Sequence, residues 1–136
     1  MADLLMLETG NGGDLVIKGN DLAMVEGVEN MPYLSMFGGN VAWWGNNLLL
    51  SDSDDIQFSS ESEQSLLDIS LNSAGRVALE NAIKRDLAAL KTNSKSALVV
   101  SVAFVSNDKI SIEIDFNGEV ITLYWNPDQE YLTYKI

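Results

Sequence analysis

The chain has 136 residues, 46% of them apolar, which favours one domain with a real core over disorder. It holds no histidine and no cysteine, which excludes Ser–His and Cys–His relays, imidazole or thiolate metal sites, and disulfides. The net charge of −12 disfavours any phosphate backbone as partner, and no apolar run approaches the ~18 residues of a membrane span.

The charge is uneven. Residues 1–75 carry 12 acids against Lys18 alone, whereas residues 76–136 carry 8 acids and 7 bases. The acidic half suits solubility and a basic protein partner equally, and the near-neutral half suits packing against neighbours. The opening "MADLLMLETG" has neither the basic nor the long apolar part of a secretory signal. The lack of cysteine fits a reducing cytoplasm.

In chain order, "GDLVIKGNDLAMVEG" predicts a hairpin, with apolar runs Leu15–Ile17 and Leu22–Val25 around Gly19-Asn20-Asp21. The preceding "GNGGD" lacks the strand–helix setting and the Lys-Ser/Thr of a nucleotide loop, and reads as a flexible turn. Residues 28–37 predict a short helix capped by Asn30, with Pro32 early and Gly38-Gly39 ending it. Ser60 and Glu63 have the spacing of a capping box ahead of "QSLLDI". A longer helix is predicted over 73–91. Its apolar stripe is Leu79, Ile83, Leu87 and Leu90, with a Glu80–Lys84 pair on the other side.

The last forty residues predict strands. "ALVVSVAFV" is nearly continuous in apolar residues, which suggests cover on both faces. "KISIEIDF" alternates, with Ile110, Ile112, Ile114 and Phe116 inward. "SNDK", Asn117-Gly118 and Asn126-Pro127-Asp128 supply the turns of a meander through "EVITLYW" and "YLTYKI". The expected class is α+β: an N-terminal hairpin and short helix, central helices, and a C-terminal antiparallel sheet. Residues 1–46 form the hairpin–helix part and residues 60–136 the helix–sheet part of one domain.

No catalytic, cofactor-binding or metal residues are assigned. Asp52, Asp54 and Glu63 fit calcium-loop positions 1, 3 and 12, but Ile56 and Gln57 stand where an oxygen ligand and a glycine are required. Glu61, Glu63 and Asp68 are the carboxylates of a glycosidase reading, with Glu61 and Asp68 seven residues apart on one helix face. A solvated helix start explains the same residues.

"FGGNVAWWGN" places Trp43 and Trp44 together among turn-prone small residues. On an extended backbone their rings point in opposite directions. Two roles stay open: both fill a seam between the N- and C-terminal layers, or one anchors a partner.

The stretch "GNDLAMVEGVENMPYLSMFGGN…WWGN" resembles the phage Mu-like baseplate protein family. The matching elements are Gly19-Asn20-Asp21-Leu22, Leu34-Ser35-Met36-Phe37 and Trp43-Trp44-Gly45-Asn46. The later "LENAIKRDLAAL…ALVVSVAFVSNDKISIEIDF" is similar to the tail lysozyme-like baseplate wedge family of contractile tails. Asn46 replaces the usual aspartate, and the Glu-Pro-Arg often found near the long helix is absent. The resemblance implies a structural, non-enzymatic part of a tail baseplate assembled in the bacterial cytoplasm. It implies six copies per assembly, with wedge, sheath and tube or hub proteins as partners. A phage, a defective tail and a secretion device remain equally open. The rival readings are a carboxylate-dependent cell-wall glycosidase and a stand-alone acidic binding module.

The C-terminal strands have few bases and no internal proline, so an open edge there needs cover. Either they close the chain's own sheet, or a partner strand adds to them. The interface or structural candidates are Phe37, Trp43, Trp44, Gly45, Tyr124, Trp125, Tyr131, Leu132 and Tyr134.

Overall fold

The computed structural model describes residues 2–9, 12–26, 30–37, 60–88 and 97–134. The expected order of elements is found, and the class is α+β. The WWG motif, Leu90 and the acidic serine-rich stretch before Ser60 lie outside the described residues.

The N-terminal part is richer than a hairpin. Three stretches of chain pair with one another: β1 (Ala2–Leu4) with β6 (Met24–Glu26), β2 (Met6–Thr9) with β3 (Gly12–Leu15), and β4 (Ile17–Lys18) with β5 (Asp21–Leu22). They meet at Leu5, Val16 and Ala23. Val16 N–H donates to Leu5, Leu5 N–H to Ala23, and Ala23 N–H to Val16, at 3.0, 2.9 and 2.8 Å. This ring of three bonds lets each stretch leave one neighbour and join the other with its junction amide satisfied. Gly19, at φ 67°, makes the tight turn between Lys18 and Asp21. The expected flexible glycine turn is corrected in part, because Gly12 and Gly13 are strand residues opposite Thr9 and Glu8.

The first helix, α1, is described from Asn30 to Phe37. The buried Asn30 side chain, expected as its cap, reaches back to the strands instead. Its Oδ1 accepts the Met6 N–H at 3.1 Å, and its Nδ2 donates to the Asp3 carboxylate and the Leu4 carbonyl. One amide thereby bridges the β1–β2 corner and the helix start, and burial makes each of those bonds costly to lose.

Helix α2 (Ser62–Leu67) is short, and α3 (Ser73–Leu87) is the long one. Asn72 caps α3 by accepting the Gly75 N–H at 2.8 Å. Leu79, Ile83 and Leu87 are buried as the stripe requires, and Ala82 is buried with them.

The C-terminal meander forms a four-stranded antiparallel sheet ordered β10-β9-β8-β7. Its strands are β7 (Leu98–Ser106), β8 (Lys109–Phe116), β9 (Glu119–Asn126) and β10 (Tyr131–Tyr134). Asn117 and Gly118 take φ values of 55° and 92° in the turn pairing Phe116 with Glu119, the two left-handed residues that a two-residue hairpin favours. The period-2 pattern of β8 holds: Ile110, Ile112 and Ile114 face the core and are buried, with Phe116 half-buried.

A continuous core joins α1 through Tyr33, Met36 and Phe37 to α2, α3 and the inner face of the sheet, with Met6 packed against it. Strand β10 pairs with β9 within the chain, Leu132 is fully buried, and β2 packs against β10. The C-terminal strand thus pairs within the chain, and as the first strand of the sheet it is also one of its two edges.

A candidate interaction surface

Two expected details of the helical layer are corrected. Ser60 and Glu63 do not form a capping box: the N-cap residue is Glu61, with no cap bond from its own side chain. The Ser60 hydroxyl donates to the Met36 carbonyl at the end of α1 instead, at 2.9 Å. The start of α2 is capped from α3 by Asp86. Its carboxylate accepts the Glu61 and Ser62 N–H groups at 3.0 and 2.8 Å and the buried Ser62 hydroxyl at 2.5 Å. Glu80 pairs with Arg76 at 2.8 Å rather than with Lys84, and the same oxygen accepts the Val102 N–H at 3.1 Å. Strand β7 is one of the sheet's two edges, and α3 satisfies one of its outward amides.

The carboxylates of the glycosidase reading have separate attachments. Glu61 pairs with Arg85, and Asp68 accepts from Gln64 at 2.7 Å. Glu63 is partly buried, and desolvation raises its pKa above the ordinary glutamate value. Among the described residues, no group of three acidic side chains is arranged to hold a metal ion.

The aromatic candidates divide between two faces. Phe37, Trp125 and Leu132 are core residues. Phe37 stacks between Tyr33 and Trp125, with centroid separations of 5.7 and 6.0 Å. This column ties α1 to β9, the seam role expected of the tryptophan pair. The Trp125 Nε1–H is buried with no hydrogen-bond partner, so its contribution is apolar area less the cost of that donor. Tyr124 and Tyr131 lie on the opposite face of the sheet, half-buried. For Tyr134 the structure describes the backbone, paired with Leu123.

That opposite face is open, contrary to the expectation that β7 is covered on both sides. Val99, Ser101, Ala103 and Val105 are all exposed there. The Lys109 ammonium lies 4.2 Å from the centre of the Tyr124 ring. These two residues line a shallow depression of about 240 Å³ with Asp108, Asn126, Tyr131 and Thr133.

The chain matches no protein-family model, no curated protein and no solved structure.

Sequence reasoning named Tyr124 and Tyr131 as candidates without separating them from the core aromatics, and it did not place the exposed apolar side chains of β7 on the same face. The signal was present: in "ALVVSVAFV" the odd positions Val99, Ala103 and Val105 are as apolar as the even ones, and an edge strand with one buried face leaves them outside.

Proposed function

We propose that this chain is a structural part of a contractile-tail baseplate, a wedge or sheath-initiator component that binds protein neighbours and catalyses no reaction. The observation that carries this reading is the ordered pattern of turn, helix end, WWG motif, long helix and strand meander along the sequence. The fold is consistent with that order at three points: Gly19-Asn20 is the turn between β4 and β5, α1 is described through Phe37, and the meander follows α3. The division of the aromatics suits such a part, since one set holds the layers together and the other faces outward. The partners on this reading are wedge and sheath proteins and a tube or hub protein, with six copies in each virion tail or related particle.

The test is to purify sheathed particles from the native host on a gradient and quantify this chain against the sheath protein by mass spectrometry. A small fixed ratio, far below the sheath's own, supports the reading. Complete recovery in the soluble fractions, with none in particles, refutes it.

A further inference from the structure

The open face of the C-terminal sheet has a definite charge pattern. In register across three strands, Asp115 lies between Val99 and Val120, and Glu113 between Ser101 and Thr122. Val99 and Val120 keep 56% and 55% of their surface exposed, and Val105 keeps 60%. Valines thus flank Asp115 on both sides, and hydroxyl side chains flank Glu113 next to it. At the other end of the face, Lys109 rests on the Tyr124 ring, four residues along β8 from Glu113 and on its far side from Asp115.

We infer that this face is a docking surface for a basic protein segment that presents arginine or lysine among aliphatic side chains. Charge decides the class of occupant. A second copy of a chain with net charge −12 would set its own Glu113 and Asp115 row against this one. Nucleic acid and anionic lipid carry the same sign as the row. An arginine is suited to Asp115: its guanidinium meets the carboxylate while its methylene stem covers the valines on either side. Exposed β-branched residues in neighbouring strands also offer side-chain rows at the spacing of an extended or flat partner. This inference rests on the proposed role as a protein-binding part, but it concerns one surface and is tested without particles.

The probe is a synthetic peptide of five Arg-Val repeats, titrated into isotope-labelled full-length protein and followed by amide chemical shifts. A Glu-Val peptide of the same length is the control. The expected result is saturable shifts at Val99, Ser101, Glu113, Asp115, Val120 and Thr122, with none from the control. Changing Glu113→Gln together with Asp115→Asn should weaken binding about five-fold, as expected for two exposed ion pairs. Asparagine at 115 keeps an acceptor for the Gly118 N–H, which Asp115 now bonds at 2.8 Å, so the hairpin survives. Val120→Ser should weaken binding at unchanged charge. Shifts centred on the acidic first half, or affinity indifferent to all three substitutions, overturn the inference. So does a dimer that protects these same amides in sedimentation and exchange experiments. If the peptide binds this face while the chain is absent from particles, the surface stands and the baseplate reading falls. Loading into particles with a peptide-silent face gives the reverse.

Discussion

Asp86, on the last turn of α3, caps the first turn of α2 through Ser62. One carboxylate oxygen accepts both the Ser62 N–H and its hydroxyl, at 2.8 and 2.5 Å. A six-residue helix has little intrinsic stability and depends on such contacts. Ser62 is fully buried, so losing the acceptor strands polar groups away from water. Asp86→Ala is expected to cost about 2–3 kcal/mol by urea unfolding. Ser60→Ala should cost less, about 1 kcal/mol, because only the bond to Met36 is lost. Equal costs would return the capping role to Ser60.

Glu63 experiences two opposed effects. It sits in the first turn of α2, where the helix dipole favours a negative charge, but burial desolvates it and raises its pKa. The net direction is upward, so the folded state holds that proton more tightly than the unfolded chain. Ionised Glu63 therefore costs stability at pH above its folded pKa. The cost is relieved as pH falls through that value and is gone below the ordinary glutamate range. Glu63→Gln should melt higher than the parent at pH 7, with the gap closing as the pH is lowered. A lower melting temperature for the glutamine variant at pH 7 would mean that the dipole dominates.

Strong local signals made much of the fold legible. Strand β8 alternates, Asn117-Gly118 forces a tight hairpin, and the stripe of α3 places Leu79, Ile83 and Leu87 on one side. Non-local signals were not legible. Leu4-Leu5-Met6-Leu7 shows no alternation, because this stretch changes partners at Leu5. Asp86 lies 24 residues from Ser62, so no local motif announces the cap. Glu80 is four residues from both Arg76 and Lys84, and spacing cannot choose between them. The choice of Arg76 goes with a Glu80 carboxylate that also meets Val102 on β7.

Glu80 should therefore act on association as well as stability. Strand β7 is nine residues long and at the edge of the sheet, a template for unwanted pairing. Glu80→Ala frees the Val102 amide and leaves Arg76 unpaired. It is expected to cost about 1–2 kcal/mol and to increase light scattering at high protein concentration. Glu80→Gln keeps an acceptor for Val102 and should scatter like the parent. Equal scattering from both variants would assign the effect to charge rather than to edge protection.

Gly75 packs its backbone against the Ser70 carbonyl with no room for a side chain. A Cβ added there would stand 1.9 Å from the Ser70 carbonyl oxygen, a backbone atom that cannot rotate away. The Ser70 carbonyl also accepts the Asn72 N–H at 2.8 Å, and Asn72 in turn caps α3. Alanine normally favours a helix over glycine, by about 1 kcal/mol. Here the clash should reverse that sign, since relief requires moving the turn that holds the cap. Gly75→Ala is expected to destabilise by about 2–3 kcal/mol. The double variant Gly75→Ala with Asn72→Ala should cost less than the sum of the two single changes, because the first already disturbs the cap. Additive costs in denaturant unfolding would show that the turn and the cap act independently.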